Sequence, residues 1–168
     1  MTRANRPAAP YGQSAASLVS QLSRTLAAAN DYLTLLLHQA GLTQLVPSHG
    51  DILMALFAEE PMTMQALSEK INRDPSTVTV LVKKLKDAGY VETRKDERDR
   101  RRTEVRLTAE GRKLRGACDE ISRKLLAAQM RDVDAADVDA VHDTLARIKD
   151  NFRYAYLQES EKGKGEQA

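Results

Sequence analysis

Residues 74–111 read DPSTVTVLVKKLKDAGYVETRKDERDRRRTEVRLTAEG. The first half has the period of a helix and the second half the period of strands. Asp74 is an N-cap and Pro75 takes the first helical position, where its missing N–H costs nothing. Val78, Leu81, Val82 and Leu85 recur at helical spacing, which predicts an inward-facing stripe over a helix running to Ala88. Gly89 ends it. Tyr90–Arg94 and Thr103–Leu107 then alternate apolar and polar residues, as half-buried strands do. The charged segment Lys95–Arg102 joins them, so the pair reads as a hairpin, or wing.

Upstream, Thr63 caps a short helix carrying Met64, Ala66, Leu67 and Ile71, and Asn72-Arg73 makes a tight turn. Two short helices, a turn and a hairpin are the order of a winged helix-turn-helix, whose second helix enters the major groove of DNA. Further out, Pro47-Ser48 opens another helix. Ser48 and Asp51 resemble a capping box, Ile52, Leu53, Leu56 and Phe57 form its buried face, and Glu59-Glu60-Pro61 ends it. Ser14–Ala40 reads as a long amphipathic helix through Leu18, Leu22, Leu26, Leu33 and Leu36, stopped by Gly41. Downstream, Thr108 caps a helix predicted to run unbroken to about Met130. Asp134 and Asp137 begin the last helix, with Val138, Val141, Leu145, Ile148 and Phe152 repeating over two heptads.

The expected fold class is mainly α. It is a winged helix-turn-helix with a small β-hairpin wing and N- and C-terminal dimerisation helices. The divisions are a flexible arm (1–13), an N-terminal helix and linker (14–46), the winged lobe (47–111), C-terminal helices (112–157) and a disordered polar tail (158–168).

Composition sets bounds. Apolar residues make up 42% of the 168, enough for a core, whereas aromatic residues make up 4%, which argues against stacking on single strands. The net charge of +2 says little by itself. Residues 61–111, however, hold 12 Lys and Arg against 9 Asp and Glu, so the basic excess is local. Such a patch is the electrostatic footprint of a nucleic-acid-binding module. The single cysteine, Cys118, excludes an intrachain disulfide and suits a reducing compartment. With no signal-peptide h-region and no long apolar run, the expectation is a soluble cytoplasmic protein that does not engage membrane.

The candidate contacts lie off the inward stripe. On the helix they are Pro75, Ser76, Thr77, Thr79, Val80, Lys83 and Lys84. Small hydroxyls allow close approach to base edges and donate to phosphates, and the lysines neutralise backbone charge. On the wing they are Arg98, Asp99, Arg100, Arg101 and Arg102. A charge run is ordinarily a solvated face. An Arg-rich hairpin tip beside a helix-turn-helix is also suited to the narrow minor groove of A·T tracts. Asp99 makes sense as an intra-wing partner that holds an arginine in one direction.

Residues 96–111, DERDRRRTEVRLTAEG, resemble the wing signature of the MarR family of bacterial regulators, D-x-x-D-x-R followed by V-x-L-T-x-x-G. Asp74–Thr79 and Lys83–Val91 resemble that family's recognition helix and following strand, and the likeness is close over residues 48–111. The resemblance implies a salt-bridged Asp99–Arg101 pair whose arginine enters the minor groove. It also implies an obligate homodimer through helices 14–40 and 112–157, and repression relieved when a small ligand, often aromatic and anionic, binds between dimer helices and DNA-binding lobe. Two-fold symmetry then predicts a pseudo-palindromic double-stranded operator. Val80 departs from the family pattern, since many relatives carry Arg there. Valine cannot hydrogen-bond guanine but can pack on a thymine methyl.

Other residues carry less. Cys118 sits among Ala117, Ile121 and Leu125 and reads as packing, with a redox role as the alternative. His38, His49 and His142 lack neighbours at metal-ligand spacing, so neither metal nor cofactor is expected. His38 and His49 flank the junction of the first two helices and are candidates for a ligand pocket. Tyr32, Phe57 and Arg24 are weaker candidates, and an ordinary surface or core role is the plainer reading of each. No phosphate loop, G-x-S-x-G, H-E-x-x-H or paired-Cys motif is present, so no enzyme activity is expected. The rival functions are a winged helix used for protein contact, a non-specific architectural DNA binder, and a regulator that senses metal or oxidant.

Overall fold

The computed structural model describes residues 13–95, 99 and 102–165, and among these the side chains of residues 17–162. The expected arm falls outside the described residues except for Gln13, the first residue of α1. The chain forms two compact units that divide at Leu125–Leu126.

The first unit contains α1 (Gln13–Gln39), α2 (Pro47–Ala58), β1 (Met62–Thr63), α3 (Met64–Lys70), α4 (Pro75–Asp87), β2 (Val91–Lys95), β3 (Thr103–Leu107) and α5 (Ala109–Lys113). It also takes in most of α6 (Arg115–Gln129). The order is that of a winged helix-turn-helix. The strands form an antiparallel sheet in the order β1-β3-β2. Val105 at its centre is fully buried, facing Met62 on one side and Thr93 on the other. The wing is thus a hairpin with a third strand added. The two residues of β1 are too few to show alternation, which is why the sequence reads only two strands.

Each predicted cap around the helix-turn-helix is made. Thr63 Oγ1 accepts from Ala66 N at 3.1 Å, Asp74 Oδ1 from Thr77 N at 3.0 Å, and Thr108 Oγ1 from Gly111 N at 3.0 Å. The start of α2 differs. Its N-cap is Val46, Pro47 is in the first turn, and Ser48 lies inside the helix. A valine side chain accepts nothing. His49 at the third position closes the cap instead, its Nδ1 accepting from Val46 N–H at 3.2 Å. Asp51, expected at that cap, instead takes Arg73 at 2.9 Å and so ties the turn after α3 to α2.

The core of this unit is the meeting of the stripes read from sequence. Ile52, Leu53 and Leu56 of α2 pack with Leu67 of α3, Val78 and Leu85 of α4, and Val91 of β2, all fully or nearly fully buried. The helix after the wing is not continuous: Leu114 interrupts it, with α5 before and α6 after.

The second unit holds α7 (Ala135–Gly165). Its heptad positions Val138, Leu145 and Ile148 are half-buried, while Val141 and Phe152 are exposed. Residues 158–165, expected to be disordered, extend this helix. Gln, Glu and Lys are good helix formers, and adding residues to a formed helix avoids the nucleation cost. The Glu159–Lys162 pair, at 2.7 Å, lies in this extension. No helix among the described residues is long and apolar enough to cross a membrane.

A close backbone approach lies where the wing rejoins the helices. Gly89 adopts φ +78, turning the chain from α4 into β2. Its carbonyl accepts from Thr108 Oγ1 at 2.6 Å, and the Tyr90 carbonyl accepts from Thr108 N at 3.0 Å. A Cβ on Gly111 would fall 2.0 Å from that Tyr90 oxygen. Gly111→Ala should therefore destabilise the protein by about 1–3 kcal/mol in denaturant unfolding. Gly116→Ala, where a Cβ meets nothing within 4 Å, should be neutral or stabilising by up to about 1 kcal/mol. Equal effects would contradict this account of the junction.

Candidate nucleic-acid interface

α4 rests on α2, α3 and β2, and its buried side is the predicted stripe of Val78, Leu81, Val82 and Leu85. The opposite arc carries the residues named from sequence. Pro75, Ser76, Thr79, Val80, Lys83 and Lys84 are exposed and Thr77 is half-buried. Ser76, Val80 and Lys83 follow one another at i, i+4 and i+7, so they run along the centre of this arc. Val80 is 54% exposed, an apolar side chain in a polar surround.

The hydroxyls are not open donors. Ser76 Oγ donates to Asp74 Oδ1 at 2.5 Å and Thr77 Oγ1 to Asp74 Oδ2 at 2.7 Å. Thr79 Oγ1 donates to the Pro75 carbonyl at 2.7 Å. These bonds, Ser76 first, hold the Asp74 carboxyl far below the usual carboxylate range. The expectation that these hydroxyls donate to phosphate is therefore corrected: in this conformation they have acceptor capacity to offer. The signal was present in the D-x-S-T spacing, which suits an Asx-type cap.

Among the cations, Lys83 Nζ lies 3.0 Å from Asp87 Oδ2 and Lys86 Nζ donates to Thr93 Oγ1 at 3.1 Å. Lys86, at the end of α4, thus bridges this helix to the wing. On the wing, Lys95 Nζ donates to Thr103 Oγ1 at 3.2 Å across the strand pair. Asp99 is half-buried, and its Oδ2 lies 3.5 Å from Nε of exposed Arg102. The Arg102 N–H also donates to the Asp99 carbonyl at 2.8 Å, a turn at the hairpin tip. Arg98, Arg100 and Arg101 lie outside the described residues, and with them the expected Asp99–Arg101 pair.

Glu60, read from sequence only as the end of a helix, anchors the base of the wing. Its Oε2 accepts from Leu107 N at 3.0 Å and its Oε1 pairs with Arg112 at 2.9 Å.

Within the same unit a cavity of about 170 Å³ lies among α1, α2 and α6, walled mainly by Leu33, Leu37, Leu53, Met54, Ile121 and Leu125. Asp51, Cys118 and Ser122 also border it. Tyr32, His38, His49 and Phe57 do not. His38 is exposed, Tyr32 half-buried, and Phe57 buried beneath the Arg115 guanidinium, 5.1 Å from its ring centroid. The cavity wall draws on three elements far apart in sequence, which periodicity cannot bring together. Burial, then the Asp119 charge, raises the Cys118 thiol, which lowers its thiolate fraction and its reactivity. Among the described residues no three His, Cys, Asp or Glu side chains converge to hold a metal.

Residues 45–103 match the model of the MarR family. Over 105 residues the chain is 29% identical to the HTH-type transcriptional regulator SarZ of Staphylococcus aureus, an alignment covering 62% of this chain and 70% of SarZ. Its fold is similar to that of Bordetella bronchiseptica BpsR, whose DNA binding is regulated by 6-hydroxynicotinic acid. The TM-score is 0.71 at 20% identity, covering 84% of this chain and 99% of that one. It is also similar to the PcaV regulator of Streptomyces coelicolor, solved with its natural ligand, with a TM-score of 0.70 at 21% identity and coverage of 84% and 98%. Fold and sequence together define a winged-helix transcriptional regulator. The MarR-family match runs from Leu45, just before α2, to Thr103, the first residue of β3.

His49, in the first turn of α2, is 3% exposed. Nδ1 accepts the cap N–H, so the neutral ring carries its proton on Nε2, which is buried without a hydrogen-bond partner. Burial, then Lys84, lowers its pKa below 6.5. The folded state thus holds the neutral ring, so this contribution to stability is complete above about pH 6.5 and falls as acid approaches the lowered value. His49→Gln keeps an N3 acceptor for the cap. From about pH 7.5 to about pH 5.5 the wild-type Tm should fall further than that of His49→Gln. Parallel curves would exclude a neutral buried His49.

Proposed function

We propose that the protein is a sequence-specific double-stranded-DNA-binding repressor acting in the cytoplasm as a homodimer. The observation that carries this reading is the exposed arc of α4 set beside the base of a basic hairpin, both held on one rigid lobe. In this reading α4 lies in a major groove with residues 75–84, and the 95–102 tip reaches the adjacent minor groove. Arg98, Arg100, Arg101 and Arg102 supply the cations there, with Asp99 steering Arg101. Two-fold symmetry gives a pseudo-palindromic operator with half-sites about 10 bp apart. The half-exposed heptad stripe of α7 supports self-association, since an exposed apolar seam of this period suits a partner helix.

The cavity among α1, α2 and α6 is the proposed effector site. Its volume suits one aromatic ring, on the scale of engineered cavities of about 150 Å³ that take benzene. α2 gives the cavity Leu53 and Met54 and also supports α4. A ligand that displaces α2 therefore displaces what α4 rests on. Ligand preference between a DNA-competent and a DNA-incompetent arrangement is what makes such a ligand an inducer.

The test is a gel-shift titration on the DNA upstream of the gene, with random duplex as competitor. Specific affinity should fall steeply with salt as bound cations are released from DNA. Arg101→Ala should weaken binding by about 1–3 kcal/mol in a folded dimer. Equal affinity for random duplex would favour an architectural binder, and normal affinity in Arg101→Ala would remove the wing assignment.

A further inference from the structure

Three hydroxyls on the outer side of α4 have their protons committed within the protein: Ser76 and Thr77 to Asp74, Thr79 to the Pro75 carbonyl. A hydroxyl so engaged keeps lone pairs but has no proton left to offer. Toward a base edge it accepts, and cannot donate. Beside Ser76, one helical turn on, stands exposed Val80, which offers methyl groups. In the major groove the amino donors are adenine N6 and cytosine N4, and the methyl belongs to thymine. An A·T pair is the one unmodified pair that presents an amino donor together with a methyl. Guanine presents two acceptors, O6 and N7, which an acceptor-only serine repels.

We propose that Asp74 is a positioning residue for base choice: it fixes Ser76 as an acceptor, and Ser76 and Val80 together select an A·T pair in each half-site. This rests on the DNA-binding reading above. Asp74 itself touches no base. It sets the direction of the hydrogen bond that Ser76 can form, and its carboxylate also discourages a phosphate from settling at the start of α4.

The discriminating substitution is Asp74→Gly. Glycine is also accepted at an N-cap, so α4 keeps its start. Ser76 Oγ and Thr77 N share Asp74 Oδ1, so an asparagine carbonyl there would keep the serine engaged, whereas glycine removes the acceptor and frees the serine proton to point outward. The preference should then move toward an acceptor edge, that is, toward guanine.

The experiment is selection of duplexes from a random library by the full-length wild-type protein, followed by affinity measurements on the selected duplex with single-base analogues. Wild type should enrich an A·T pair at one major-groove position per half-site. There, thymine→uracil, which removes the methyl, should weaken binding about fourfold. Adenine→2-aminopurine, which removes the N6 amino group while keeping the pair, should weaken it about fivefold. The uracil penalty should vanish in Val80→Ala. Asp74→Gly should shift the ratio of A·T to G·C affinity at that position by about tenfold or more. Enrichment of G·C there, a uracil penalty unchanged in Val80→Ala, or a uniform loss across sequences in Asp74→Gly would each overturn the inference while leaving DNA binding intact. Failure to enrich any duplex would instead overturn the functional reading on which it rests.

Discussion

The interface depends on one junction, where the first turn of α5 sits on the carbonyls of Gly89 and Tyr90. Thr108 gives both its backbone N–H and its hydroxyl to those oxygens, and Gly111 leaves room for the approach. These carbonyls lie at the exit of α4 and the entry to β2. The contact therefore fixes α4, the base of the wing and the start of α5 in one geometry. Glu60 holds the same corner from the other side, through Leu107 N and Arg112. Two elements can engage neighbouring grooves together only if the angle between them is set beforehand; a hinge here would add an ordering cost to every binding event.

Much of this was legible in sequence because it depends on local rules. Caps at Thr63, Asp74 and Thr108, the apolar stripe of α4 and the stop at Gly89 all follow from neighbours within one or two turns. The differences arise where partners lie far apart or where two local solutions compete. β1 exists because Met62 finds Val105 across the sheet. α2 is capped at Val46, where His49 at the third position supplies the acceptor that Asp51 was expected to supply. The extension of α7 through 158–165 reflects propagation of a formed helix through residues whose polarity alone suggests a free tail.

The site divides in the same way. Which residues face outward on α4 follows from periodicity. The direction in which their hydroxyl protons point does not, because it depends on rotamers and on the carboxylate of Asp74. Residue types suggested phosphate donors, and the geometry leaves hydroxyl oxygens with acceptor capacity beside a valine. Under the proposed function the division of labour moves accordingly: the lysines and wing arginines serve affinity, and Ser76 with Val80 serves discrimination. The cavity shows the limit of one-dimensional reading most clearly. The histidines and aromatics marked as pocket candidates have other environments, and aliphatic residues from α1, α2 and α6 form its wall.

The central claim is that α4 and the wing act on DNA as one rigid unit, repeated by two-fold symmetry. Hydroxyl-radical footprinting of the wild-type protein on a bound duplex tests it most directly, because it reads protection of individual sugars along both strands. The account predicts short minor-groove protections at the wing positions, related by a dyad, with the major groove of each half-site approached between the dyad and the wing. Continuous protection without a dyad, or protection confined to the major-groove face with the flanking minor grooves open to cleavage, would contradict it.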